Sequence, residues 1–183
     1  GLSTETSKDV SSSDLSSVNV EVFPENGGLV PGVTQTVYAV TTHEQKAGIS
    51  VYAMVPQPPN ATGSTPPPKK GVPAITNERG IATLSVHPEP GQNNVEIIAF
   101  AENGGQGSVL TTVMGNSNIL VRPDRPTYKP GESARVSVLG AAEGDHISIR
   151  MTKGSEPLAA ASCRVTSKQG DCEAVIPIPQ DAS

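Results

Sequence analysis

A proline followed by a glycine, set at the head of a run in which every second residue is apolar, leaves a chain few ways to fold. Lys129-Pro130-Gly131-Glu132 is such a place. Proline presets φ at the second position of a type II turn, and glycine accepts the positive φ at the third. In the run that follows, Ala134, Val136 and Val138 face one way while Ser133, Arg135 and Ser137 face the other. That period of two marks a strand with one buried face. Pro123 and Pro126 upstream have no amide hydrogen for a ladder, so the approach from Arg122 reads as an edge segment. Edge segment, tight turn and central strand open a β-sandwich domain.

The pattern occurs twice. Val30-Pro31-Gly32-Val33 precedes Thr34 to Val40, and Pro31 and Pro130 lie 99 residues apart. Thr76-Asn77-Glu78-Arg79-Gly80 leads into Ile81–Val86 as Thr166-Ser167-Lys168-Gln169-Gly170 leads into Asp171–Ile176, and these glycines lie 90 residues apart. A Pro-rich insertion in the first copy absorbs the nine-residue difference. The expected fold is therefore all-β: tandem antiparallel β-sandwich domains over 17–115 and 116–183.

Composition agrees where it bears on this reading. Tryptophan is absent and aromatics are 3% of the chain, so the cores must be built from Val, Ile, Leu and Ala. The 18 glycines and 17 prolines suit many short strands joined by tight turns. A formal charge of −5 without a basic stripe argues against nucleic-acid binding. No apolar run approaches the roughly 18 residues that span a membrane. The first residues carry no signal-peptide pattern, so any export signal is expected to be removed or to lie upstream.

Along the chain, residues 1–16 are Ser/Thr-rich and read as a flexible linker or tail. Strands are expected near Ser17–Phe23, from Val33, over Gly48–Val55, Val72–Ile75, Ile81–His87, Val95–Ala101 and Ser108–Met114. The second copy repeats them near Asn118–Arg122, Ser133–Leu139, His146–Thr152, Leu158–Val165 and Cys172–Ile178. Pro56 to Lys70 holds six prolines in 15 residues and is expected as an exposed loop that joins no sheet. The second copy shows no counterpart of the hairpin Val95–Met114, and its missing strands are expected from another polypeptide or from a continuation of this one.

Few residues invite chemistry. Cys163 and Cys172 are the only cysteines and flank an apparent turn, which suits a disulfide closing a short hairpin and an oxidising compartment. Two reduced structural cysteines are the alternative; no partner ligands support a metal, and no adjacent base supports a thiol nucleophile. Asn60-Ala61-Thr62 is a glycosylation sequon on the Pro-rich loop. His43, His87 and His146 lack metal-ligand spacing, and no nucleophile elbow, phosphate loop or zinc-protease motif occurs. Glu25 and Glu102 stand in two Glu-Asn-Gly-Gly stretches, where hairpin turns explain them better than a catalytic pair. Tyr128 is expected to pack at the domain junction. No cofactor and no enzymatic activity are expected.

Arg125-Pro126-Thr127-Tyr128-Lys129-Pro130-Gly131-Glu132 with its alternating strand resembles the opening of macroglobulin domains in the alpha-2-macroglobulin family. Tyr128, Lys129, Pro130 and Gly131 match that family's turn motif. Phe23-Pro24-Glu25-Asn26-Gly27-Gly28-Leu29-Val30-Pro31-Gly32 is similar to a stretch that precedes such a domain in bacterial members, and Thr76 to Ala82 resembles a recurrent hairpin. The likeness runs over residues 18–178. It implies a secreted or periplasmic setting, and a body of macroglobulin domains that traps proteases after cleavage of a bait segment. Neither Cys163-Arg164-Val165-Thr166 nor Cys172-Glu173-Ala174-Val175 matches the family's Cys-x-Glu-Gln thioester. The resemblance therefore implies a non-catalytic scaffold segment whose partners are other domains of the same large protein and target proteases. A stalk or adhesion module of a cell-surface protein, built from tandem Ig-like sandwiches, is the alternative.

Overall fold

A computed structural model describes residues 17–57, 61, 63–115 and 119–181. The tail 1–16 and the sequon residues Asn60 and Thr62 lie outside the described residues. The chain is all-β, with no helix among the described residues. Its strands are β1 (Asn19–Pro24), β2 (Gln35–Thr42), β3 (Ser50–Val55), β4 (Lys69–Lys70), β5 (Ala74–Ile75), β6 (Ile81–Val86), β7 (Asn94–Phe100) and β8 (Gln106–Thr112). They continue as β9 (Leu120–Pro123), β10 (Ser133–Leu139), β11 (His146–Lys153), β12 (Glu156–Arg164) and β13 (Cys172–Pro177). The fold gathers into two compact units.

The first unit takes residues up to Phe23, Thr36–Val86 and Val95–Thr111. One sheet runs β1-β2-β6, and the other runs β4-β3-β7-β8 with β5 also on β3. Alternation places one face of each strand inside. Val37 and Ala39 of β2, Val51 of β3, and Ile97 and Ala99 of β7 are wholly buried, and Ala82, Leu84 and Val86 of β6 nearly so. Each large aliphatic removed from water contributes roughly 1.5–3 kcal/mol. β7 lies antiparallel to β3, with Val51 opposite Ala99 and Ala53 opposite Ile97.

The Pro-rich loop is shorter than its composition suggests. Lys69 and Lys70 pair with Val55 and Met54, and the Gly71 amide donates to the Ala53 carbonyl at 2.9 Å. The last proline is Pro68, so both lysines retain amide hydrogens for the ladder, and lysines are common on sheet edges because they discourage further pairing. The Lys70 ammonium stands 3.7 Å from the centroid of the Phe100 ring and 5.0 Å from that of Tyr52. Cation–π attraction helps hold this end of the loop down.

The second unit takes Pro24–Gln35, His87–Asn94 and the chain from Thr112. Its larger sheet is β9-β10-β13, with the Pro-bearing β9 at an edge. Val136 of the central β10 faces Ala174 on one side and Pro123 on the other. The second sheet is the hairpin β11–β12, which pairs from His146↔Arg164 to Lys153↔Glu156 with a slip between Met151 and Thr152. Ala134, Val136, Ile176 and Ile178 form the buried core, against which the half-buried Tyr128, Ile149, Met151, Ala159 and Ala161 pack. Val30, Val33 and Leu120 make a second cluster with Met114 and Leu139.

Two kinds of glycine contact each occur twice among the backbone hydrogen bonds. The Gly32 amide donates to Pro88 O at 2.7 Å, and the Gly131 amide to Ile178 O at 3.0 Å. Gly80 O accepts from Thr41 N at 2.8 Å, and Gly170 O accepts from Ala141 N at 3.0 Å. Gly80 and Gly170 have φ of 77° and 74°. A Cβ at Gly80 would stand 2.6 Å from Thr41 O, and one at Gly170 closer still to Ala141 O. Both positions demand glycine for its backbone conformation and for the close approach.

Candidate interaction surfaces

The turn motif builds a corner that is closed upon itself. Gly131 takes a φ of 84°, and the Glu132 amide donates to Lys129 O at 3.1 Å, as a type II turn requires. The Glu132 carboxylate reaches back to accept from the Lys129 amide at 3.1 Å and pairs with Arg125 Nη2 at 3.2 Å. The Tyr128 hydroxyl donates to Asp124 Oδ1 at 2.5 Å and accepts from the Arg125 amide at 3.1 Å. Asp124 Oδ1 also accepts from Arg135 N, which anchors the corner to β10. The Arg125 guanidinium lies over the Tyr128 ring, 4.8 Å from its centroid. The Tyr128 bond, chiefly, holds the Asp124 carboxyl below its ordinary pKa. Desolvation, then the same bond, pushes the Tyr128 phenol above its ordinary value.

Tyr128 thus packs on the core of its own unit, and its hydroxyl fastens the segment before the turn. The sequence suggests a packing residue at a domain junction, and the ring does pack, against Ala134, Val136, Ile176 and Ile178. The polar tip decides its place, because a half-buried phenol needs a partner and Asp124 is four residues away. Pro130 and Gly131 set the turn itself, and Lys129 supplies both backbone groups that Glu132 uses.

The cysteines are joined, with Cα atoms 5.9 Å apart, but they do not close a hairpin. Cys163 lies on β12 opposite Ile147, and Cys172 on β13 opposite Val138, in two different sheets. The intervening segment is a corner from sheet to sheet. Val165, 1% exposed, donates its amide to Asp145 O and accepts from Gly144 N, both at 2.9 Å. Sequence spacing alone does not distinguish a hairpin from such a corner, since both put a short turn between alternating strands.

Glu25 has a role that local sequence conceals. Its stretch does make a turn, with the Gly27 amide on Pro24 O at 3.0 Å, as the Gly104 amide bonds Ala101 O at 3.1 Å after Glu102. The Glu25 carboxylate also accepts a fork from Arg122, with Nε at 3.1 Å and Nη2 at 2.6 Å, across 97 residues of sequence. Arg122 Nη2 reaches Thr34 O as well, at 3.4 Å. The bond to Glu25 chiefly raises the arginine pKa further. Planar pairing of this kind fixes orientation as well as charge. Only its contrasting charges were visible in the sequence.

Among the described residues, no group of three or more His, Cys, Asp or Glu side chains converges as metal ligands. His43 Nδ1 accepts from Gln45 N at 3.1 Å, and His87 Nδ1 stands 3.0 Å from Thr34 Oγ1. No described helix is long and apolar enough to cross a membrane. The polar groups of the Asp124–Glu132 corner engage one another, which makes the corner a structural device.

No protein-family model matches the chain, and no curated protein matches it by sequence. Among solved structures, it is similar to Escherichia coli alpha-2-macroglobulin in its native conformation, at 11% identity and a TM-score of 0.33 over 90% of this chain and 13% of that one. It is also similar to Escherichia coli alpha-2-macroglobulin activated by porcine elastase, at 9% identity and a TM-score of 0.38 over 89% and 19%. The chain spans less than a fifth of the length of either, and both likenesses are too loose to assign it a role.

Proposed function

We propose that this chain is a non-catalytic scaffold segment of an alpha-2-macroglobulin-like, broad-spectrum protease inhibitor, with macroglobulin-like sandwich modules over 17–115 and 116–183. The observation that carries the reading is the Asp124–Glu132 corner. Residues of the family-like stretch Arg125–Glu132 make its bonds: Tyr128 to the preceding Asp124, and Glu132 across the Pro130–Gly131 turn. Repetition of the glycine contacts at Gly32 and Gly80 supports a tandem arrangement of one module type. The disulfide Cys163–Cys172 supports an extracytoplasmic setting. In this reading the segment's partners are other modules of one large polypeptide and, through them, proteases. Bait and thioester chemistry belong to other segments.

The test uses the polypeptide that carries this segment, mixed in excess with a serine endoprotease. Trapping leaves hydrolysis of a small chromogenic peptide intact and suppresses digestion of a large protein substrate. Equal digestion of the large substrate with and without the polypeptide overturns the reading.

A further inference from the structure

Two stretches of this chain share four residues and one backbone turn: Glu25-Asn26-Gly27-Gly28 and Glu102-Asn103-Gly104-Gly105. The Gly27 amide donates to Pro24 O at 3.0 Å and the Gly104 amide to Ala101 O at 3.1 Å, with φ of 74° and 90°. Asparagine followed by glycine is the pair that most readily closes a succinimide, because glycine leaves the attacking amide unhindered. Local sequence and turn therefore give both sites the same intrinsic tendency. Only the partners of the side chains differ.

At Asn26, Nδ2 donates to Ile119 O at 3.3 Å. That bond has to break before the nitrogen can leave. At Asn103, the Gly105 amide donates to Oδ1 at 3.1 Å, which also fixes which end of the side-chain amide is oxygen. Nδ2 then stands 3.5 Å from His43 Nε2. The Gln45 amide donates to the other ring nitrogen, Nδ1, at 3.1 Å, so Nε2 carries the proton of the neutral imidazole. An amide nitrogen and an imidazole N–H are both donors and gain little from each other. In a tetrahedral intermediate Nδ2 becomes an amine with a lone pair, and the same contact becomes a hydrogen bond. Glu102, Asn103 and Gly104 are exposed, so water and hydroxide reach the turn.

We propose that Asn103 is a site of spontaneous modification, deamidation through a succinimide, promoted by the Gly105 amide and by His43. Hydroxide takes the Gly104 amide proton, and that nitrogen attacks Asn103 Cγ. The Gly105 N–H holds the oxyanion that forms at Oδ1, as preorganised donors do in acyl transfer. His43 Nε2–H donates to Nδ2 while the bond from Nδ2 to Cγ breaks, water protonates the nitrogen, and ammonia departs. A second water opens the succinimide to aspartate or isoaspartate. Both donors bind the intermediate more strongly than the starting amide, which is the condition for a rate effect. The product carries a new carboxylate in the turn between β7 and β8, and isoaspartate adds a methylene to its backbone.

The full chain is aged at neutral pH, and peptides holding each asparagine are followed by mass spectrometry, with isoaspartate content as a second readout. In urea, where both stretches are unfolded, the two rates should nearly coincide and set the reference. In the folded chain Asn103 should react about three- to tenfold faster than Asn26, the factor that one net hydrogen bond supplies. His43→Leu should remove that lead. His43→Gln, whose side-chain amide offers a donor at similar reach, should keep it. The rate at Asn26 should be the same in all three chains. The wild-type order needs no variant: Asn26 matching or outpacing Asn103 in the folded chain overturns the proposal. So does a lead for Asn103 that survives His43→Leu, or one that both substitutions abolish alike.

Discussion

Among the described residues, the first unit closes its core with sheets of three and five strands, and the second with a three-stranded sheet and the two-stranded hairpin β11–β12. Both use the same turn grammar and the same period-two strands. In the first, β3 and β7 deliver wholly buried Val51, Ile97 and Ala99. In the second, Ile149, Met151, Ala159 and Ala161 of the hairpin are only partly covered. The second unit instead has a covalent link between its sheets and an ion-paired corner around Tyr128. Closure of a sandwich thus depends less on the strand pattern than on how many strands stand beside each inward residue. Where burial is incomplete, cross-links and polar corners hold the layers.

The strongest way to break this comparison is to truncate one inward isoleucine in each unit. Ile97→Ala should cost the first unit about 2–5 kcal/mol, because the cavity is sealed on every side. Ile149→Ala should cost the second unit under about 2 kcal/mol, since water already reaches that side chain and part of its transfer energy is absent. Denaturant unfolding followed at amides of each unit separates the two. Equal losses would mean that the second core is as closed as the first.

Reduction of Cys163–Cys172 comes next. A loop of this size constrains the unfolded chain by roughly 2–3 kcal/mol on the entropic model. The loss should be confined to amides of the second unit, and mass spectrometry of unreduced protein should find no alkylatable thiol. Destabilisation shared by the first unit would contradict a cross-link local to β12 and β13.

The smallest effect is expected at the corner, where water screens the charges. Asp124 is held below its ordinary pKa of 3.8, so its contribution is present above that value and is lost as pH falls through the lower, folded pKa. Tyr128 is held above its ordinary 10.0, so its contribution is present below 10.0 and is lost as pH rises through the folded pKa. Tyr128→Phe should therefore flatten both the acid and the alkaline limb of second-unit stability and leave those of the first unchanged. Identical pH profiles for wild type and variant would remove the corner from the list of devices that hold this unit.

Most strands could be read from the chain because their signals are local. Ser133–Leu139 was legible to the residue, since Pro130 and Gly131 specify the turn and the alternation that follows has one solution. Gly80 and Gly170 marked equivalent corners, because a positive φ against a neighbouring carbonyl admits little else. The motif around Tyr128 was visible as a pattern, but its meaning was not. A tyrosine reads equally well as a plug or as a hydrogen-bonding post, and only Asp124 Oδ1 at 2.5 Å decides.

What the sequence by itself determined was therefore the all-β class and the turns. Backbone preferences of proline and glycine, and the two-residue period of a pleated strand, act over a few neighbouring residues. The tertiary structure alone decided that β12 and β13 join different sheets, so that the disulfide ties layers. It alone gave Glu25 to Arg122, brought Lys69 and Lys70 into a ladder, and paired β11 with β12. A strand alternates identically in either layer of a sandwich. Its sheet and its neighbours are chosen by contacts between segments distant along the chain, which no local window contains.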